Sequence, residues 1–341
     1  MITVFVSHPA DKREQYFGAR AAAALRSIAH VRFNPEPRDL STAELVAAAQ
    51  GCDAVIAYRQ TPAPRALFGS LPELVAFIRC AVDIRTVDVP AASAHGVLVT
   101  QASPGYAAAV SEWIVAVMVD LARGISRHAE AYHRNHPLPP SMGRELRGST
   151  LGVIGYGHIG RALTDLALAF GMHALVTTPG PIPPRPGVRQ VALPELLAGS
   201  DFVVCLAPAN AETENMMGEQ AFAAMRPGSF FVNAARGELV DDAALMRALD
   251  SGHLAACALD VGRAPDQMPA PALARHPNVL AAPHIGGLTL PAIEHQALET
   301  VDQLTRLLRG ELPAGAVNAL QAWRLQRWGH AITRTAPEMR P

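Results

Sequence analysis

Charge is scarce in this chain: only 17% of its 341 residues are charged, and 29 basic side chains nearly balance 30 acidic ones. A formal net charge of −1 provides no global field to recruit nucleic acid or an anionic membrane, so any partner must be recognised locally. Cysteine is equally sparse. The four thiols, Cys52, Cys80, Cys205 and Cys257, lack CxxC spacing and sit in or beside apolar stretches, which reads as buried, reduced thiols in a cytoplasmic protein with no metal site. Long hydrophobic runs are missing too. The most apolar helical segment, Tyr106–Arg123, contains Ser111, Glu112 and Asp120, and no stretch offers the roughly 20 apolar residues that span a bilayer. The opening Met1–Pro9 is a short β-like run rather than a basic segment leading into an apolar core, so no signal peptide is expected.

What remains is hydrophobic: 50% of the residues are apolar, in a chain too long for one ordinary core. Two domains are expected. Short β-branched runs at Ile2–Val6, Val31–Phe33, Ala54–Ala57, Phe77–Ala81 and Val97–Thr100 alternate with helical segments such as Tyr16–Ser27 and Thr42–Gln50. Strands separated by helices imply a parallel sheet covered on both faces. After a Pro- and Arg-rich connector, Arg134–Arg147, the rhythm restarts with a strand at Thr150–Ile154 and a helix at His158–Phe170. Further strands are expected at Ala174–Thr177, Phe202–Leu206, Ser229–Val232, Ala255–Leu259 and Val279–Ala281. The long helix Pro291–Arg309 then returns to the first domain. The expected fold is α/β, with two doubly wound Rossmann-like domains: 1–101 with 291–325, which is discontinuous, and 102–290, followed by a tail, 326–341. From Gln321 onward the chain has four arginines against one glutamate, plus Trp323 and Trp328; it reads either as a clasp on a neighbouring subunit or as a partly ordered terminus.

Three glycines carry the first functional signal. Leu151–Gly160 reads LGVIGYGHIG, an apolar strand followed by GxGxxG and a helix. Gly155 permits the tight turn, Gly157 lets backbone approach a pyrophosphate, and Gly160 allows helix to pack on strand, with the phosphate on the helix terminus. The next strand runs out at Thr177, Thr178 and Pro179, where an acid normally holds the adenosine ribose. With no carboxylate to repel a 2′-phosphate and the nearest base, Arg185, beyond two prolines, the cofactor is NAD or NADP, undecided at this point.

Two further residues follow strands in the same unit. Arg236 ends FFVNAAR, where its planar fork can hold a carboxylate and polarise a carbonyl. His284, in AAPHIGG, can exchange a proton with a carbonyl or hydroxyl oxygen near neutral pH. Glycine loop, arginine and histidine together form the set that reversible hydride transfer requires.

With these motifs in order, the chain from about Tyr58 to Gly310 resembles the D-isomer-specific 2-hydroxyacid dehydrogenases, through LGVIGYGHIG, MRPGSFFVNAARGELVDDAALMRAL, SGHLAACALDV and NVLAAPHIGG. The resemblance implies two Rossmann-like domains with the active site in the cleft between them, a homodimer supported by the segment Gly105–Arg123, and a small 2-oxo or 2-hydroxy acid as substrate. It implies that Arg236 binds the substrate, His284 is the acid/base, and Asp260 hydrogen-bonds the nicotinamide carboxamide. By the same resemblance Tyr156, His158, Ile159, Thr178, Ala207, Pro208, Thr213, Ala234, Ala235 and Gly286 join the glycines in holding the dinucleotide, and Arg59, Val82 and Asp83 bind substrate.

The chain departs from the family pattern in three places. Pro265 stands where the family places a glutamate beside its histidine, and Asp266 follows; either Asp266 reaches His284 or the histidine has no carboxylate partner. The family's glycine-rich substrate loop is replaced by Cys80–Asp88, with Asp83 at a glycine position. A carboxylate there repels an anionic substrate unless Arg85, Arg59, or a substrate hydroxyl or amine answers it, or Asp83 points away to cap a helix. Leu206 stands where many members carry histidine. Three functions follow as expectations: reversible reduction of a 2-oxo acid, dinucleotide sensing with little turnover, or oxidoreduction of a non-standard substrate.

Overall fold

The computed structural model describes residues 1–264 and 267–331, which divide into two compact units, Met1–Gly105 joined by the chain from Leu290 onward, and Tyr106–Thr289. The first unit holds five parallel strands: β1 (Thr3–Val6), β2 (His30–Phe33), β3 (Ala54–Ala57), β4 (Ala76–Arg79) and β5 (Leu98–Gln101), in spatial order β2-β1-β3-β4-β5. Their period-two alternation sorts side chains onto two faces. Val4, Val6, Ala54, Ile56, Ala76 and Ile78 pack with the helices Gly18–Arg26 and Leu290–Leu308 on one face. On the other, Phe5, Val55, Ala57, Phe77 and Val99 meet Leu45, Leu67 and Phe68. Helix starts follow local chemistry: Ser41 and Glu44 form a reciprocal capping box for the helix Thr42–Ala48, and Asp88 caps Val89–Ala94.

The C-terminal chain completes this unit. Gln303 Nε2 donates to the Gln101 carbonyl, and the Asn318 amide both accepts from Val99 N–H and donates to the Val97 carbonyl, so the edge of β5 is covered by residues more than 200 positions away. The 3-10 helix Trp323–Trp328 docks on the same unit. Arg324 Nη1 donates to the carbonyls of Leu71 and Leu74, Arg327 reaches those of Pro72 and Glu73, and Trp323 fills the space beside Gly96. Residues 321–330 thus pack on the chain's own fold, with Arg324 and Arg327 engaged by its carbonyls. The remainder of the tail, from residue 332, lies outside the described residues.

The second unit holds seven parallel strands, β6 (Thr150–Ile154), β7 (His173–Thr177), β8 (Val188–Gln190), β9 (Phe202–Cys205), β10 (Ser229–Asn233), β11 (Leu254–Leu259) and β12 (Val279–Ala281), in the order β12-β11-β10-β9-β6-β7-β8. Strands β9 and β10 are buried along their full length, as a sheet with two covered faces requires. The strand β8 is an addition to the sequence expectation, a short half-polar edge. The helix Ala107–Arg123 ends at Gly124, whose left-handed backbone (φ 65°) closes it. All four cysteines are buried and unpaired with one another, and burial raises the thiol pKa of each, to about 12 for Cys80 and Cys205. No helix among the described residues is long and apolar enough to cross a membrane.

Candidate active site

In a doubly wound sheet, functional groups gather where strands end, and the carboxyl edge of the second sheet presents them in an orderly row. His284 follows β12, Asp260 follows β11, Arg236 follows β10, Ala207 and Pro208 follow β9, the glycine turn follows β6, and Thr178 follows β7. Strand order reverses between β9 and β6, and there the backbones nearly touch. A Cβ on Gly155, whose φ is +99°, would lie 2.6 Å from the Leu206 carbonyl oxygen. Only glycine fits.

The other two glycines differ in kind. A Cβ on Gly160 would collide with the Gly155 carbonyl, so this glycine lets helix His158–Ala169 close on the turn. A Cβ on Gly157 would meet nothing within 4 Å. Space is therefore left open at the second glycine, above a helix start with no side-chain cap, which is the cradle a pyrophosphate fills. The residues present fit a dinucleotide. Thr213 closes the neighbouring loop by donating to the Pro208 carbonyl at 2.7 Å while accepting from Asn210 N–H. Ile159 is half-buried and Tyr156 nearly buried, both packed into the core between sheet and helix.

Arg236 is placed by a residue the sequence reading missed. Asn233, the last residue of β10, donates through Nδ2 to the Arg236 carbonyl at 2.9 Å and accepts through Oδ1 from Ala235 N–H at 3.1 Å, so one amide pins the turn Ala234–Arg236. Arg236 also donates to the Ala235 carbonyl. Arg263, equally unforeseen, clamps the following segment by donating to the carbonyls of Glu238 and Val240 and to Glu214. Gly237 is essential to that clamp because its α-carbon faces the Gly262 backbone with no room for a side chain. The signal was present in the sequence as NxxRG, but an Asn inside an apolar strand reads as interruption rather than as a brace.

His284 occupies left-handed backbone (φ 55°), an uncommon conformation for a residue with a side chain. Asp260, 3% exposed, sits beneath it: Oδ1 accepts from Ile285 N–H at 2.8 Å and Oδ2 from Gly286 N–H at 2.9 Å. Gly286 is confined by the same carboxylate, since a Cβ would lie 2.8 Å from Oδ2. Asp260 therefore organises the histidine loop, and its carboxylate oxygens are also of the acceptor type that a nicotinamide amide requires. Pro265 and Asp266 lie outside the described residues, so the displaced carboxylate has no structural account.

The carboxyl edge of the first sheet carries the remaining candidates. Asp83 does not cap a helix. It is held by Arg85, whose Nε and Nη2 donate to the carboxylate and whose backbone N–H donates to Oδ1 at 3.0 Å, so the charge that replaced a glycine is answered two residues later. Val82 is half-buried beside it. Arg59 follows β3, with its guanidinium over the Tyr16 ring at 5.4 Å. Arg79, fully buried, ties the two loops together by donating to the carbonyls of Tyr58 and Thr61 and to Thr86 Oγ1; burial lowers its pKa to about 10. Nearby His8 is completely buried between Phe17 and Tyr58, both at 5.1 Å, with neither ring nitrogen hydrogen-bonded.

Comparison with known proteins bears on the family and the fold. Residues 115–286 fit the model of the D-isomer specific 2-hydroxyacid dehydrogenase NAD-binding domain, which indicates NAD or NADP as the cofactor. Among curated proteins, the chain is 34% identical over 293 residues to the putative D-3-phosphoglycerate dehydrogenase of Schizosaccharomyces pombe, covering 82% of this chain and 63% of the relative. It is 36% identical over 290 residues to D-3-phosphoglycerate dehydrogenase 3, chloroplastic, of Arabidopsis thaliana, covering 82% and 49%. The chain thus spans half to two-thirds of the length of these relatives. Among solved structures, the TT0316 protein of Thermus thermophilus superposes with a TM-score of 0.84 at 28% identity, covering 93% of this chain and all of the other.

Proposed function

Because this chain belongs to the D-isomer-specific 2-hydroxyacid dehydrogenase family, we propose that it interconverts a 2-oxo acid and a (D)-2-hydroxy acid. The observation that carries the reading is the placement of Arg236, Asp260 and His284 at the ends of three adjacent strands, β10, β11 and β12. The bound dinucleotide supplies or accepts the hydride. Arg236, braced by Asn233, holds the substrate carboxylate through its planar fork and polarises the keto oxygen next to it. His284 gives that oxygen a proton during reduction and takes one from the hydroxyl during oxidation. Asp260 keeps the histidine loop from relaxing out of its left-handed turn.

The Asp83–Arg85 pair bears on substrate range within the same reaction. Because Arg85 already answers the Asp83 carboxylate, the loop does not repel an anionic substrate, and an unmodified 2-oxo acid fits it without a compensating hydroxyl or amine. We further place the chain in a homodimer, for which the exposed apolar side chains Ile125 and Tyr132 on the helix Ile125–His133 are candidates.

The test is a panel of 2-oxo acids, plain, hydroxylated and amine-bearing, with NADH and NADPH, in the wild type and in Arg236→Gln. We expect turnover of at least one acid and its fall by about 100-fold or more in the variant, in keeping with loss of a charge-stabilising donor, while cofactor affinity is kept. Unchanged turnover in Arg236→Gln refutes the assignment, and tight cofactor binding without turnover of any acid favours a sensor.

A further inference from the structure

The end of β7 is where a dinucleotide site normally distinguishes its two cofactors, and the chain there is unusual in a consistent direction. Between Asp165 and Glu195 there is no acidic residue at all. The strand β7 ends at Thr177, and Thr178 then occupies the position from which a carboxylate would grip the ribose hydroxyls. The connection that follows, Thr178–Gly187, is both proline-rich and tied down. Its prolines at 179, 181, 183, 184 and 186 restrict the backbone before any ligand arrives. Gln190 on β8 donates through Nε2 to the carbonyls of Thr178 and Gly180, at 3.2 and 2.6 Å, and accepts through Oε1 from Ile182 N–H at 3.0 Å.

That stiff loop delivers Arg185 to the phosphate turn. Its guanidinium pairs with Asp165 on the helix that follows the turn, and Asp165 together with the nearby phenol of Tyr156, the residue between Gly155 and Gly157, raises its pKa. Arg161, one turn into that helix, stacks over the same Tyr156 ring at 5.8 Å. Two guanidinium groups thus flank Tyr156 with a single carboxylate between them. The local charge is +1, from Arg161 and Arg185 against Asp165, where a conventional NAD site would contribute a negative charge. A guanidinium with five N–H donors keeps donors for a phosphate beside its ion pair with Asp165.

We propose that this chain is selective for the 2′-phosphorylated cofactor, with Arg185 as its specificity-determining residue, Arg161 contributing charge, and Tyr156 and Gln190 positioning the loop. The inference uses dinucleotide binding but not the substrate or the turnover assigned above. It explains why Thr178 replaces an acid: a carboxylate at that place would repel the phosphate that the two arginines attract.

Binding decides it. Dissociation constants for NADPH and NADH are measured by nicotinamide fluorescence on the full chain at one ionic strength, with thermal unfolding as the folding control, for the wild type, Arg185→Ala and Thr178→Asp. The wild type is expected to bind NADPH at least tenfold more tightly than NADH, with 2′,5′-ADP displacing NADPH far better than 5′-AMP does. Arg185→Ala is expected to cut that ratio several-fold by weakening NADPH, and Thr178→Asp to reverse it. Equal or tighter NADH binding by the wild type overturns the proposal while leaving the dinucleotide site intact. Equal weakening of both cofactors by Arg185→Ala overturns the role of that residue. Failure of a folded wild type to bind either cofactor overturns the dinucleotide reading itself.

Discussion

Asp260 holds Gly286 by a backbone hydrogen bond of 2.9 Å and has its other oxygen on Ile285, so a single buried carboxylate fixes both peptide units that follow His284. This explains how a histidine tolerates a φ of 55° there. The strain is offset by two charge-assisted bonds, each worth roughly 1.5–3 kcal/mol.

Replacing this carboxylate by its amide leaves shape unchanged and removes an acceptor. In Asp260→Asn one backbone N–H faces an NH2 group, and stability to urea is expected to fall by about 2 kcal/mol. Amide exchange at Ile285 and Gly286 should quicken in the same variant. Native protection at both amides would show that the carboxylate is not what holds the loop.

The roles of the second and third glycines of the turn separate cleanly. Gly157→Ala points its methyl into open space, so its unfolding temperature should match the wild type while dinucleotide affinity drops at least tenfold. Gly160→Ala drives its methyl into the Gly155 carbonyl and should lose stability as well as affinity. Thermal unfolding with and without cofactor distinguishes them; wild-type affinity in Gly157→Ala would mean that the open space is not where phosphate sits.

His8 makes the first unit acid-sensitive. Burial lowers its pKa from 6.5 to about 3, helped by the nearby charges of Arg13 and Arg79. The folded state therefore keeps this imidazole neutral where the unfolded chain already binds a proton, and stability drains away as pH falls from about 6.5 toward 3. The slope approaches about 1.4 kcal/mol per pH unit from this group. Urea midpoints of His8→Phe, compared with wild type between pH 7 and 4, should decline less steeply. Parallel declines would place the acid sensitivity elsewhere.

How much of this was readable in advance varies with the range of the interaction. Strand positions followed from local pattern, because β3 and β9 are buried on both faces and consist of uninterrupted apolar residues, and β10 carries the apolar run Phe230–Val232 between polar ends. The glycine turn was readable for the same reason: strand, turn and helix are consecutive. The edge strand β8 escaped notice because Val188, Arg189 and Gln190 carry no apolar alternation and take their place only by pairing with β7. Boundaries slipped where a strand begins or ends on one favourable side chain: β4 ends at Arg79, not in the following Cys80–Ala81, because Arg79 turns inward to three oxygen acceptors.

Among the candidate site residues, His284 and Arg236 stood out by type and by position after a strand, and Asp260 through the family resemblance alone. Their braces were not. Asn233, Arg263 and Arg79 act on backbone carbonyls close by in space, and a carbonyl leaves no trace in a sequence. The pair Asp83–Arg85 was posed as an open question because a carboxylate at a glycine position can repel a substrate, point away or be neutralised, and only the side-chain geometry selects the last. The docking of the tail was equally hidden, because the carbonyls of Leu71 and Leu74 and the space beside Gly96 that receive Arg324 and Trp323 lie more than 200 positions away in the chain.

The covering of β5 by Asn318 and Gln303 has a bearing on synthesis. A ribosome makes the second unit as one uninterrupted stretch, whereas the first unit lacks Ala297, Val301, Leu304, Leu307 and Leu325 from its core until the second unit has been made. The part made first must therefore wait, with its apolar sheet face unfinished, while the part made second is already able to fold, so the nascent chain reaches its native state in the reverse of the order in which it is written.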